Sequence, residues 1–248
     1  MQVVVSDILI QDINDQKEFF CYTYLSMFIW NLLVKNFPEY CESVAGFWTV
    51  EPLNALTNFA FFIGAYYLLK YIRVNNLKNR LSIFLTGLMV VMGLGSLLWH
   101  SYRSEITMLL DTLPIYIFFI LALYLFVQVL TKNKKLTIVI LALLGLIYYL
   151  IFTYIPGLNI FSGSLKYIFI LIVLVALSFF IRKKYGYDYN FLTPLGIFLV
   201  AIMLRTIDIF MCPFFPFGTH FIWHILIAIA MYFGSTLILR LNAKMNQV

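Results

Sequence analysis

The sequence predicts an all-α membrane protein, a bundle of seven transmembrane helices, and three observations carry that prediction. Apolar residues make up 63% of the 248-residue chain and charged residues 11%, with a mean hydropathy of +0.93. A water-soluble domain of this length needs far more polar surface. The apolar residues fall into seven long runs, at about 53–72, 81–100, 107–130, 136–155, 164–182, 191–210 and 219–240, each near the length a helix needs to cross a bilayer. The basic residues cluster in alternate connections between those runs.

The elements follow in order. Residues 1–18 carry Asp7, Asp12, Asp15 and Glu18 against a single Lys17, and this acidic start does not read as a cleavable signal peptide. Residues 19–34 are apolar but interrupted by Thr23, Ser26 and Asn31. Sixteen residues rise only about 24 Å as a helix, short of a hydrocarbon core of about 30 Å. They read as an interfacial helix, with a weak eighth span as the alternative. Glu39, Glu42 and Glu51 then make the most polar stretch of the chain. The expected organisation is an extracytoplasmic segment over 1–52, a seven-helix domain over 53–240 and a cytoplasmic tail over 241–248. The connections are short, and no internal repeat or low-complexity tract interrupts them.

Lysine and arginine set the orientation. Lys70, Arg73, Lys78, Arg80, Lys132, Lys134, Lys135, Arg182, Lys183, Lys184, Arg240 and Lys244 all fall on one side of seven alternating spans, with Asp188 their sole acidic companion. The other side is mainly acidic. The positive-inside rule therefore puts the C-terminus in the cytoplasm and the N-terminus outside. The net charge of +6 belongs to these loop clusters and does not call for nucleic acid as a partner. Three cysteines allow at most one internal disulfide.

With this topology the polar residues near the ends of the runs converge on the outer face. Glu51 opens the first run, Ser96 and His100 close the second, Asp111 lies near the start of the third, Asp208 ends the sixth, and His220 and His224 open the seventh. Ser96 and His100 share one helical face, as do His220 and His224. Three imidazoles and a water make the open tetrahedral zinc site that acidifies bound water. Asp111 then reads as a general base that returns the proton to a leaving amine, and Ser96 as a hydrogen-bond donor to an oxyanion or partner of the water. Plainer readings stand beside these. Asp111 can cap its helix, Ser96 can pack within the small-residue face Gly93-Leu-Gly-Ser, and Asp208 can pair with Arg205 one turn away. A bis-histidine haem is a further alternative, though a histidine pair with a nearby acid suits zinc better. The seventh run has no lysine to carry a Schiff base, which argues against a light-driven pump, and no broken mid-membrane helix points to a transporter.

Three motifs together carry a family resemblance: Ser96-x3-His100-x10-Asp111, His220-x3-His224, and Glu51-Pro-Leu-Asn-Ala-Leu-Thr-Asn58 leading into the first run. Over residues about 38 to 240 the chain resembles the alkaline ceramidases, within the wider superfamily of seven-helix membrane hydrolases that includes lipid-remodelling enzymes and adiponectin-type receptors. The resemblance implies a zinc amidase with water as nucleophile. Its zinc ligands would be His100, His220 and His224, its base Asp111, and Ser96 would steady the oxyanion. It also implies a calcium ion on the acidic loop, held by Glu39, Tyr40, Glu42, Val44 and Glu51. The sequence departs from the family there, with Glu39 where Asp is usual and a shorter loop between Cys41 and Glu51. It further implies a disulfide between Cys41 and Cys212, with Cys21 free, and the outer face is where disulfides persist.

The expected activity is intramembrane hydrolysis of the amide of ceramide or a related N-acyl lipid, giving a fatty acid and a sphingoid-type amine. The substrate would come laterally from the outer leaflet, with its acyl chain in the bundle. The rival is a zinc-containing seven-helix receptor or lipid-binding protein, which needs no general base at Asp111. Short loops and the lack of retention signals point to a bacterial inner membrane, with the site on the extracytoplasmic side.

Overall fold

A computed structural model describes residues 40–43, 51–154, 164–185 and 190–245. The chain divides after Phe37 into two units, and every described residue belongs to the second, Pro38–Val248. The interfacial helix expected over 19–34 lies outside the described residues, as do Cys21, Glu39 and Val44.

All regular structure among the described residues is helical. In chain order the helices are α1 (Pro52–Thr57), α2 (Phe59–Val74), α3 (Arg80–Tyr102), α4 (Glu105–Thr131), α5 (Lys134–Tyr154), α6 (Leu165–Tyr185), α7 (Leu192–Met211) and α8 (His220–Met245). With α1 and α2 counted as one span, seven segments of 20 to 27 residues are long and apolar enough to cross a membrane. The protein is a multi-pass integral membrane protein, and the helices match the seven apolar runs to within a few residues.

The first span is broken at Asn58 by its own side chains. The Thr57 hydroxyl donates to the carbonyls of Leu53 and Asn54 at 2.9 and 3.0 Å, and the Asn58 amide donates to Asn54 O at 2.8 Å. Those bonds offer the carbonyls an alternative to regular helix continuation. Helix α3 starts at a capping box between Asn79 and Ser82, and α4 at a second between Ser104 and Thr107. The cap of α4 is therefore Ser104, and Asp111 stands in the second turn, free of the capping role. Arg103, in the left-handed region at φ 49°, ends α3, so only Arg103 and Ser104 separate α3 from α4. This tight reversal sets Ser96 and His100 beside Asp111.

Helix α8 is the centre of the bundle and packs on α1, α2, α3, α4 and α7, while α5 rests chiefly on α4 with only Thr137 buried. Between α3 and α4 the backbones approach closely at Gly95. Any Cβ there would collide with the backbone carbonyl of Leu110. That carbonyl is the one Pro114, inside α4, cannot bond, because proline has no N–H to donate to the residue four before it. A glycine on one helix and a proline on the other thus bring the two backbones together one residue from Ser96 and Asp111, the small-residue packing expected between membrane helices.

Candidate metal centre

The last turn of α3 and the first two turns of α8 bring three imidazoles together. His220 and His224 lie one turn apart on α8 with ring centroids 4.7 Å apart, and the His100 ring lies 5.2 Å from the first and 4.6 Å from the second. One nitrogen from each falls within 4.8 Å of the other two. All three side chains are buried, with at most 3% exposed.

Their orientation is held from behind. A Glu51 carboxylate oxygen engages His100 Nδ1. The Thr57 hydroxyl, which already donates to backbone carbonyls, lies 3.1 Å from His224 Nδ1 and so accepts from it. Both contacts engage Nδ1 and leave Nε2 for the centre, the arrangement by which outer groups set the tautomer of a ligating histidine. His100 Nε2 and His220 Nδ1 are buried with no hydrogen-bond partner. Stranding such atoms in the interior is costly, and a metal ion removes the cost for a ring nitrogen directed at it. Three neutral imidazoles are a donor set that suits zinc.

Glu51 is the hub of the surrounding network. Fully buried, it pairs with Arg103 at 2.9 Å and accepts from Ser43 at 2.9 Å and Asn54 Nδ2 at 3.1 Å, while its own N–H donates to His100 O at 3.0 Å. Burial works to raise its pKa, but the His100 ring and the Arg103 guanidinium outweigh it and hold the carboxyl below the usual range. Pro52 suits the first helical position of α1, where no N–H is needed. The next two N–H groups, of Leu53 and Asn54, donate to Glu42 at 2.5 and 2.6 Å. Burial nevertheless leaves the Glu42 carboxyl raised.

These contacts bear on the calcium set, of which Tyr40, Glu42 and Glu51 are described. Tyr40 O accepts from Ser43 N at 3.1 Å, and both carboxylates face protein donors. Those carboxylates organise α1 and orient His100.

Ser96 is buried and hydrogen-bonded to Asp111, which is half-buried. Asp208 is fully buried, and its carboxylate meets backbone N–H groups. Its Oδ1 accepts from the N–H groups of Thr219 and His220 at 2.6 and 2.8 Å, and its Oδ2 from Cys41 N at 3.0 Å. A carboxylate at a helix start meets unpaired N–H groups and the positive end of the helix dipole, so Asp208 holds the first histidine turn of α8. Gly218, at φ 63°, adopts the left-handed backbone before that turn, and any Cβ on it would strike Asp208 and Cys41. Cys41 and Cys212 are joined by a disulfide, their Cα atoms 5.3 Å apart.

Several neighbours of the centre have parts in it that the sequence did not signal. The Tyr40 ring stacks on His220 at 3.7 Å, and burial pushes its hydroxyl up to about 12. Thr57 stands inside the Glu51–Asn58 motif, yet only its spacing from His224 across the fold reveals its use. Arg103 lies over Trp99 at 4.4 Å and bonds Glu51.

An apolar cavity of about 60 Å³ opens one turn below the polar residues. Its upper lining includes Met92, Ile115 and Ile227, which follow Ser96, Asp111 and His224 down their helices, and it continues to Phe126, Leu237 and Ile238. Along α8 that depth is roughly 16 Å.

No curated protein matches the chain. The family model for Ceramidase matches residues 38–248, from the acidic loop through all seven spans and all three histidines. The chain belongs to the ceramidase family.

Proposed function

We propose that this protein is a zinc-dependent intramembrane amidohydrolase that cleaves ceramide or a related N-acyl lipid to a fatty acid and an amine. Family membership makes it an amidohydrolase of the ceramidase type. The observation that carries the zinc reading is the convergence of three buried ring nitrogens, two of the three rings being held through Nδ1 by Glu51 and Thr57.

His100, His220 and His224 would hold the zinc, which when bound supplies Lewis-acid chemistry that polarises a carbonyl and acidifies water. The chain's own groups do the rest. Asp111 takes the proton that water gives up as its oxygen adds to the acyl carbon, and returns it to the nitrogen as the C–N bond breaks. Ser96 fixes the Asp111 carboxylate by donating to it, and once Asp111 holds the proton the Ser96 hydroxyl hydrogen is released to turn to the oxyanion. The apolar lining below guides the acyl chain and keeps water from the reacting carbonyl. The charge distribution supports an extracytoplasmic site with the C-terminus in the cytoplasm.

The test is metal content of the purified protein beside His220→Ala, with hydrolysis assayed on a panel of N-acyl lipids. The expected result is one zinc per chain, lost in the variant together with turnover. Zinc without turnover on any lipid would move the reading to a receptor-like protein, and a chain without zinc would end it.

A further inference from the structure

Helix α7 places a cation inside a membrane-length segment. Arg205 is half-buried there. An ionised side chain at such a position is expensive and marks a functional site by default. Its guanidinium carbon lies 5.2 Å from the Trp223 ring, 5.5 Å from Tyr40 and 5.6 Å from Tyr167, and Arg205 is hydrogen-bonded with Tyr40. Three rings from three parts of the chain steady one planar cation.

The cage is built on the metal centre itself. Trp223 stands between His220 and His224 on α8, and the Tyr40 ring lies flat against His220. Asp111, His220 and His224 all lie within range of the Arg205 charge. The apolar cavity begins one turn below Asp111 and His224. An amphiphile whose chain follows that apolar lining, parting the side chains around a cavity that by itself takes only the first methylenes, therefore carries its head to the level of Arg205. A guanidinium recognises carboxylate oxygens with two parallel donors, which the neutral ring nitrogens of a histidine set do not.

We propose that Arg205 is the carboxylate subsite of this centre, which receives the acyl oxygens as the amide becomes a fatty acid. The proposal rests on the hydrolase reading for the source of the carboxylate, but the binding is testable without turnover. In the cage, Tyr40 and Trp223 fix the cation beside the ligand histidines, and Tyr167 closes the side toward α6. Product is held by the acid head as well as by its chain, and free fatty acid competes with substrate for the site.

The experiment measures binding of a sixteen-carbon fatty acid and of the alcohol of the same length to the zinc-loaded, full-length protein in detergent. The wild type should prefer the acid. Arg205→Gln should weaken acid binding by about 10- to 100-fold, the value of a hydrogen-bonded charge, and leave the alcohol unchanged. Arg205→Lys, which retains charge without the planar fork, should fall between, and it carries the test if the glutamine variant melts early. An acid preference undiminished in both variants would overturn the proposal, because the centre would then hold the carboxylate without Arg205. Amide turnover assayed in parallel separates the two readings. A wild type without turnover but with an Arg205-dependent acid preference sinks the hydrolase alone, whereas normal turnover with an Arg205-independent preference sinks the subsite alone.

Discussion

Asp111 and Glu51 are both acids close to the same histidines, and their surroundings give them different work. Glu51 is fully buried and fully engaged, bonded to His100, Arg103, Ser43 and Asn54. It orients His100 and has no lone proton site to offer a substrate. Asp111 is half-buried, steadied by Ser96, and stands above the apolar cavity. Asp111→Asn should therefore retain zinc while lowering amide turnover by about 10²- to 10⁴-fold, the usual value of a general base. Metal analysis beside single-turnover kinetics checks both halves, and loss of zinc would reassign Asp111 to the metal. Glu51→Gln should instead weaken zinc binding by about 10- to 100-fold, as loss of a partner behind a ligating histidine does. Titration with a competing chelator reads this directly, and an unchanged affinity would remove Glu51 from the metal's support.

At the scale of elements, the site depends on how closely α3 meets α4 and on how α8 begins. Gly95 has no room for a side chain because the obstacle is the Leu110 carbonyl, a backbone atom that cannot rotate away. Gly95→Ala must push the helices apart, with an expected cost of about 1–3 kcal/mol. It should also lower turnover by separating Ser96 from Asp111. Gly87 lies on the same helix with open space around its would-be Cβ, so Gly87→Ala serves as the control and should be neutral or slightly stabilising. Thermal melts of the two variants decide between them, and equal behaviour would mean that the α3–α4 approach is not tight. The start of α8 is set by atoms far apart in sequence. Asp208 from α7 satisfies the N–H groups of Thr219 and His220, and through Cys41 N it ties the acidic loop to the same turn.

For the molecule as described, one end of the bundle holds the histidine cluster and the basic connections lie toward the other. The Cys41–Cys212 bridge spans 171 residues and joins the acidic loop to the connection between α7 and α8, on the histidine side. A disulfide there agrees with an oxidising compartment on that side. The charge distribution leads to a direct test of orientation. A green fluorescent protein fused after Val248 should fluoresce in a bacterial host, and an alkaline phosphatase fused there should be inactive. An active phosphatase would reverse the topology and put the site in the cytoplasm.

The apolar runs alone determined the seven helices, because a segment that must satisfy its backbone in lipid has few other structures open to it. Spacing alone put His220 beside His224 and Ser96 beside His100, since helix periodicity is local. The parity of the spans was enough to send all the polar ends to one face. Tertiary structure decided what each of those residues touches. Asp208 lies eleven and twelve residues before Thr219 and His220, yet its carboxylate accepts from both of their N–H groups, a role its position in sequence does not announce. Thr57 and His224 are 167 residues apart, and nothing in either segment announces their contact. The aromatic cage of Arg205 draws on Tyr40, Tyr167 and Trp223, three rings indistinguishable in the sequence from ordinary membrane packing. Periodicity and hydropathy act along the chain, whereas hydrogen-bond partners and ring contacts depend on side-chain packing between helices, which no single segment encodes.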